Sequence, residues 1–335
     1  MAKRVHAYLG PILILLFCLS QAFRDVYFGK VFQGVDFFAI ILLAFLASTI
    51  LFTAIPLLRD RSAFGKLRGH GRTVLMMNIF TALAWSCYFF GLSHLEPSLV
   101  NTLHSGMAPL TILVLAAFGF RLARTGSIGW WEYAGYAGIA LSLVAVSWVV
   151  LAGRSGLATG NEATALLGLV ALLVSGVSIT ISLLYCKRLH DHGVNAEVVT
   201  AVRYVLLILI AGGVVWHKGK LDGIGSLGEA AALTGLATLL IVLPLYAFQV
   251  GIALTTPLTA NVLRSLGPVF VFGLQQIDGR LSMSAPTLIC ILVYSAAAIL
   301  SNIAHARHES GGATARAAGW RFSARRQRLL PAGQS

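Results

Sequence analysis

The sequence predicts an all-α integral membrane protein with ten transmembrane helices, arranged as two inverted five-helix repeats. Three observations lead to this prediction. The chain is apolar, with 57% hydrophobic and 11% charged residues and a mean hydropathy of +0.82, whereas soluble domains carry about 25% charged residues. Apolar stretches of transmembrane length recur along the chain. A sequence block also occurs twice, at an offset of 160 residues.

The repeated block reads Pro-Ser-Leu-Val-Asn-Thr-Leu-His-Ser at 97–105 and Pro-Leu-Thr-Ala-Asn-Val-Leu-Arg-Ser at 257–265. A glycine six residues upstream repeats as well. The matched residues are Pro97 with Pro257, Asn101 with Asn261, Leu103 with Leu263, Ser105 with Ser265, and Gly91 with Gly251. Because both copies are strongly apolar, the sequence predicts a single membrane unit that is present twice.

A bilayer core about 30 Å thick needs roughly 20 apolar residues per helix. Ten segments meet this requirement: 8–28, 36–58, 72–94, 97–119, 131–152, 163–186, 196–216, 229–252, 257–276 and 285–305. Five helices per copy is an odd number, so the second copy must have the opposite orientation in the membrane. We therefore predict one repeat at 1–155, an inverted repeat at 160–306, and a basic, disordered cytoplasmic tail at 307–335.

The distribution of charge predicts the topology. A formal net charge of +13 would suggest a nucleic-acid partner in a soluble chain, but here the positive residues concentrate in alternate loops and in the tail. With the N-terminus inside, seventeen lysines and arginines fall on the cytoplasmic side and five on the outer side. This imbalance predicts a multi-pass protein of the inner (plasma) membrane with both termini cytoplasmic, with membrane lipid and no nucleic acid as partner.

No catalytic pattern accompanies these spans. The sequence contains no nucleophile elbow, phosphate-binding loop or paired carboxylates. The four cysteines lack metal-ligand spacing and are expected to be packing residues. We therefore predict that the protein is not an enzyme and has neither a metal site nor a cofactor.

Two inverted copies, each with a short turn before a Pro-x-x-x-Asn helix, resemble the drug/metabolite transporter superfamily. Within that superfamily, this sequence most resembles the EamA-type permeases. The resemblance covers residues 8–306 and is sharpest at 78–110 and 238–270. Arg203-Tyr204 also resembles the Arg-aromatic pair often found in the second helix of each EamA repeat. The resemblance implies a secondary transporter that exports a small molecule.

The repeated block supplies the first candidate substrate-binding residues. Arg264 follows Asn261 by three positions, so both lie on one face of the ninth span, as Asn101 and His104 do on the fourth. In an inverted repeat these faces should meet near mid-membrane. An arginine there can bind a carboxylate or phosphate in bidentate fashion. The structural alternative is that these residues bond helix ends, and His104 is either a packing residue or a proton-coupling group.

Further candidates lie on other spans. Arg203 either binds substrate or anchors the cytoplasmic end of its helix by snorkelling. Trp85 and Tyr88 belong to a polar stripe on the third span and offer ring faces to organic or cationic groups. Tyr246 occupies the mirrored region of the eighth span.

Arg24 and Asp25 lie late in the first span. Because the outer interface is near, Arg24 is expected to snorkel to it. Asp25 is then either a further structural residue or a proton carrier.

The leading hypothesis is a secondary transporter that exports a small organic metabolite by alternating access, with carboxylate-bearing substrates favoured by Arg264 and Arg203. Proton or substrate antiport would drive it. Efflux of cationic or aromatic drugs, centred on Trp85, Tyr88 and Asp25, is an alternative on the same fold. A non-transporting membrane scaffold or sensor is an alternative of a different class.

Overall fold

A computed structural model gives the fold. It describes the backbone of residues 2–120, 128–157, 161–219 and 226–328. Side chains are described in the same ranges except at 2–7, 61, 242–243, 245–246, 249–250, 252–253, 257 and 309–328. Over these residues the chain forms helices and no β-strand, which confirms the predicted all-α class.

The described residues form α-helices, with one 3₁₀ helix, Arg61–Leu67, after the second of them. The α-helices are α1 (Ala2–Val31), α2 (Phe37–Arg59), α3 (Gly71–His94), α4 (Pro97–Ala117), α5 (Trp130–Leu151), α6 (Glu162–Asp191), α7 (Ala196–Arg203), α8 (Val205–Lys218), α9 (Leu227–Ala253), α10 (Pro257–Ser265), α11 (Gly267–Asp278) and α12 (Ala285–Arg328).

Among the described residues, eight helical segments are long and apolar enough to cross a membrane, so the chain is a multi-pass membrane protein. They are Tyr8–Val31, Phe37–Arg59, Gly71–His94, Pro97–Ala117, Trp130–Leu151, Glu162–Asp191, Ala196–Lys218 and Ala285–His308. Each coincides with a predicted span. In the predicted tail at 307–335, the backbone as far as Arg328 belongs to α12. The side chains from residue 309 onward lie outside the described residues, and the disorder of the tail stays a prediction.

The two remaining predicted spans have particular structures. The span 229–252 coincides with α9, in which Leu227–Ile241 forms a shorter apolar helix among the described residues. The span 257–276 is not one helix but two, α10 and α11, separated at Leu266. The span 196–216 is likewise divided, into α7 and α8, at Tyr204.

Each break has a local cause or a local partner. Pro268 has no N–H for the preceding turn, and its ring clashes with the backbone of a continuous helix. At this break the carbonyl of Ser265 accepts a hydrogen bond from the Ser295 hydroxyl at 2.9 Å. At the other break, Asn78 donates to the Val202 carbonyl at 2.8 Å and accepts from the Leu206 N–H at 3.1 Å. Backbone groups freed inside an apolar bundle thereby keep hydrogen-bond partners.

Close packing of the bundle depends on small residues. Helix α3 packs along α6, α1 along α9, and α5 along α12. A side chain on Gly135 of α5 would overlap the backbone of Ser301, and one on Gly138 would overlap Ala297. These glycines therefore let α5 and α12 approach closely, as small residues do between membrane helices.

A buried carboxylate ties together one end of the bundle, which we call the Glu96 end. Glu96 is 1% exposed. One of its oxygens accepts from the Ser98 hydroxyl at 2.9 Å and from the Gln275 amide. The other accepts from the Gly156 N–H at 2.7 Å and from the Thr287 hydroxyl at 3.4 Å. One side chain therefore joins α4, α11, α12 and the segment after α5.

We expect Glu96→Ala to lower the thermal stability markedly in detergent. The substitution leaves several buried donors unpaired, and hydrogen bonds to a charged group contribute about 1.5–3 kcal/mol each. The matched control is Glu162→Ala, at an exposed position in the first turn of α6. Similar small shifts in the melting temperatures of the two variants would contradict the assignment.

Candidate functional site

A buried ion pair lies inside the bundle, against α3. Nε and Nη2 of Arg24 donate to one oxygen of Asp25 at 2.8 and 2.7 Å. Arg24 is 4% exposed and Asp25 is fully buried. Neighbouring residues on a helix do not normally face each other, so the arginine side chain folds back to make this pair. The predicted snorkelling of Arg24 to the interface is therefore wrong, because a carboxylate partner is available within the bundle.

Aromatic rings of α3 enclose this pair. The Arg24 guanidinium lies 5.4 Å from the ring centroids of both Trp85 and Tyr88, and it donates to the Tyr88 hydroxyl at 3.2 Å. The Trp85 Nε1–H is buried and has no hydrogen-bond partner among the described residues. Cation–π contacts of this kind strengthen when they are desolvated. The predicted candidates Trp85 and Tyr88 thus surround a charge that the sequence analysis assigned to the interface.

Asn101 connects the ion pair to the repeated block on α4. Its amide donates to the second oxygen of Asp25 at 2.9 Å, and its own side-chain oxygen lies beside Gly267, at the start of α11. The side chain is 6% exposed. Asn101 therefore joins α1, α4 and the α10–α11 break.

His104 lies one turn further along α4. Its Nδ1 is 3.0 Å from the Ser175 hydroxyl, which donates to the Ala84 carbonyl. Its ring packs edge-on against Tyr88, with centroids 4.7 Å apart. The positive charges of both Arg24 and Arg264 act on His104.

Arg264 and Asn261 are exposed side chains on α10. The Arg264 guanidinium lies 5.0 Å from the ring centroid of Phe248 on α9, and its charge also acts on Cys18 of α1 and Tyr294 of α12. Since helices on several sides surround it, the exposed side chain faces the space between them. Within the described part of the chain Arg264 forms no ion pair.

Arg203 lies apart from this cluster. Its Nε donates to the Thr81 hydroxyl at 3.2 Å, and Thr81 is hydrogen-bonded to Ser182 of α6 at 2.6 Å. The guanidinium lies 5.7 Å from the ring of its neighbour Tyr204. These contacts place Arg203 at the junction of α3, α6 and α7. The side chain of Tyr246, the remaining candidate, lies outside the described residues.

A groove of about 820 Å³ opens between α1, α9 and α11. Its lining is mostly apolar, with Phe23 and Tyr27 of α1 and Leu233 of α9 among the residues, and its charged members are Lys30, Glu229 and Asp278. Its volume falls within the range of pockets that hold small organic molecules. The groove lies toward the Glu96 end, because Val26 beside it accepts a hydrogen bond from Arg280, after α11.

Sequence reasoning missed the most strongly paired groups. The sequence does not predict that Asp25 pairs with Arg24, nor that Glu96 is buried among hydrogen-bond donors. The adjacent opposite charges of Arg24 and Asp25 in an apolar span were the available indication of a buried pair. Apart from Ser98, the partners of Glu96 are 60 to 191 residues away along the chain, so no local pattern identifies them. Among the described residues no cluster of three metal-ligating side chains occurs.

No protein-family model matches the chain, and no curated protein matches it. A solved structure described only as "Crystal structure of protein" has the same fold, with a TM-score of 0.58 and 19% sequence identity. The match covers 90% of this chain and 97% of that chain. At this identity the match concerns the fold alone, and it extends over nearly the full length of both chains.

We expect Arg24→Met to destabilise the protein in detergent, by about 3–5 kcal/mol, because it leaves the Asp25 carboxylate buried without its cation. Adding Asp25→Leu should recover much of the loss, since an apolar pair needs no partner. Thermal unfolding measures both effects. Lys30→Met, at an exposed position of the same helix, is the control, and a loss as small as that of the control would contradict a buried ion pair.

Proposed function

We propose that the protein is a secondary transporter that exports a small organic molecule by alternating access, with carboxylate-bearing substrates favoured. One observation carries the proposal. Arg264 is an exposed cation on a helix of a membrane bundle, 5.0 Å from the ring centroid of Phe248, and it forms no ion pair among the described residues. A cation inside a membrane protein is costly unless it has a partner, and a substrate anion would supply that partner.

An inverted repeat is supported by equivalent contacts in the two halves. A side chain on Gly91 of α3 would overlap Leu172 of α6, and one on Gly251 of α9 would overlap Ile14 of α1. Residues of α3 and α9 correspond at an offset of 160, and those of α1 and α6 at 158. Each repeat therefore packs its third helix on the first helix of the other repeat, as a twofold axis requires.

Two more pairs of contacts follow the same rule. Gly168 of α6 abuts Leu95, and its equivalent Gly10 abuts Thr255. The rings of Tyr88 and His104 lie 4.7 Å apart, and at the equivalent positions Arg264 lies 5.0 Å from the ring of Phe248. These agreements support repeats at 1–155 and 160–306, with α9 as one span and α10–α11 together as another, so that ten spans result.

The loops also divide into two groups, as ten alternating spans require. At the Glu96 end the turn at Glu96 contacts Gly156, which bonds to Ser282. At the opposite end the ring of His70 contacts that of His192, with centroids 4.7 Å apart. Together with the excess of lysine and arginine near His70, this division supports a cytoplasmic location for both termini, in an inner (plasma) membrane.

The charges within the site favour an anionic substrate. Asp25, the carboxylate in the cluster, is already neutralised by Arg24 and bonded to Asn101, so it offers no free charge to a cation. Arg264 leaves the cluster with an excess positive charge. The alternative of cationic or aromatic drug efflux is favoured only by the aromatic faces and the unpartnered Nε1–H of Trp85.

The two ends of the bundle differ in a way that fits alternating access. Tyr27 lines the open groove between α1, α9 and α11. Its equivalent Tyr185, near the opposite end, packs against Phe80 and Phe120 at centroid distances of 6.3 and 6.4 Å. An open cleft beside Tyr27, with aromatic rings packed against its equivalent Tyr185, fits an outward-facing transporter, although a second, smaller pocket of about 490 Å³ lies near the opposite end, between α3, α7 and α8. A scaffold or sensor has no need of either feature. The proposed transport requires neither a catalytic group nor a cofactor.

The topology is tested with reporter fusions after residues 65, 155 and 335. We expect them to report inside, outside and inside, because an odd number of spans separates the first two positions and the last two. A C-terminal reporter outside the cell would contradict the inverted repeat.

The substrate charge is tested with Arg264→Gln in proteoliposomes. Transport of labelled carboxylates should be lost or weakened at least tenfold, because losing a buried charge-assisted pair costs about 2–5 kcal/mol. Arg264→Lys should restore transport only partly, since an ammonium cannot form the bidentate fork. The corresponding amides serve as neutral substrates, protein-free liposomes give the leak, and Arg188→Gln, at an exposed position, is the control. Carboxylate transport by Arg264→Gln within about twofold of wild type, or about 0.4 kcal/mol, would make Arg264 structural.

A further inference from the structure

Within the site, Arg24 can pair either with Asp25 or with a bound carboxylate. It is now held by Asp25 through two hydrogen bonds and by the ring faces of Trp85 and Tyr88. Its charge nevertheless acts on His104, on which the charge of Arg264 also acts. Tyr88 connects Arg24 to His104, because its ring packs against that of His104 with centroids 4.7 Å apart and its hydroxyl accepts from Arg24 at 3.2 Å. A carboxylate bound beside His104 would therefore lie near Arg24, which is engaged by an internal carboxylate, and near Arg264, which forms no ion pair among the described residues.

We propose that Asp25 is a proton-operated latch on Arg24, so that the binding of a proton and the binding of a substrate anion favour each other. This inference rests on the proposed function and specifies its coupling ion. When a proton from water binds Asp25, the carboxylate becomes a neutral carboxylic acid and its ion pair with Arg24 is lost. Arg24 keeps its own protons and becomes available to donate hydrogen bonds to the substrate carboxylate.

The sign of the coupling follows from this competition. With Asp25 ionised, a substrate anion must displace an internal carboxylate from Arg24, whereas with Asp25 protonated it need not. Proton binding therefore strengthens anion binding, and by reciprocal linkage anion binding promotes proton uptake. Cooperative binding of both ligands moves them in the same direction, whereas antiport requires that they exclude each other.

The surroundings of Asp25 contain few other groups that respond to pH. The described titratable or charged groups near Asp25 and the groove beside it include Tyr88 on α3, His104 on α4, Arg264 on α10, Glu229 on α9, and Asp278 with its partner Arg280 at the end of α11. Of these, His104 is the one whose titration would also change the charge beside the proposed anion. The experiment must therefore separate His104 from Asp25.

The first arm needs no substrate. The measured quantity is the fluorescence emission of Trp85 in purified protein, obtained as the difference between wild type and Trp85→Phe. We expect this emission to change with pH, because Arg24 leaves the Trp85 ring when Asp25 is protonated. Asp25→Asn should show the low-pH emission at every pH, His104→Gln should keep the wild-type dependence, and so should the control Asp36→Asn, in the turn before α2. The latch would be overturned if the pH dependence of the emission survived in Asp25→Asn or disappeared in His104→Gln. It would also be overturned if wild type showed no pH dependence between about pH 4 and 9.

The second arm uses benzoate as the probe and benzamide as its neutral counterpart. Wild-type affinity for benzoate should rise as the pH falls, by at most about tenfold per pH unit for one linked proton, with uptake of protons from a weakly buffered solution. Asp25→Asn should bind benzoate at least about tenfold more tightly than wild type at high pH, a shift of about 1.4 kcal/mol, without proton uptake. Proton release on binding would overturn the inference. Failure of wild type to bind benzoate would count against the proposed carboxylate preference, and the first arm would still decide the latch.

Discussion

The interior of this bundle is organised by the need to neutralise charge in a membrane. The desolvation of an ion inside a protein costs several kcal/mol unless a partner with good geometry offsets it. Asp25 and Arg24 meet this need together, and the second oxygen of Asp25 takes the Asn101 amide. The pair thereby fixes α1 against α3, which supplies Trp85 and Tyr88, and against α4. Glu96 performs the corresponding task near the helix ends, where it collects four donors.

In the proposed inverted repeat, the two halves share a scaffold but not a charge distribution. Tyr88 beside His104 corresponds to Phe248 beside Arg264, so one half carries an imidazole ring where the other carries a permanent cation. Arg24 corresponds to Ser182, which hydrogen-bonds Thr81. Under the proposed function, a symmetric scaffold would give the two conformations of alternating access similar packing energies, while an asymmetric site would let one substrate be bound in a single orientation. The proposed repeat would therefore account for the motion, and its departures from symmetry for the binding chemistry.

Local sequence patterns predicted the helices but not the contacts inside them. The spans follow from apolar length alone, and the Pro-x-x-x-Asn block located α4 and α10. The break at Leu266 was predictable in principle from Pro268, whereas the one at Tyr204 depends on Asn78, more than a hundred residues away. Asn101 and His104 share a face of α4, as their spacing predicts, whereas the packing of Tyr88 against His104 was not predicted. Arg24 was misassigned because its position near the end of an apolar span indicates only that the interface is close. That position does not reveal whether a neighbouring carboxylate and aromatic rings hold the charge inside the bundle.

The proposed latch bears on which gradient can drive export. If a proton and a carboxylate cross together, the complex that moves carries no net charge from these two ligands, and the membrane potential does no work on it. A proton gradient directed into the cell would then favour uptake. Export through such a site requires that the outward concentration gradient of the substrate exceed the inward gradient of protons. The same geometry that binds an anion tightly at low pH would therefore make the carrier a release path for an accumulated acid, with Asp25 setting how strongly the two gradients are coupled.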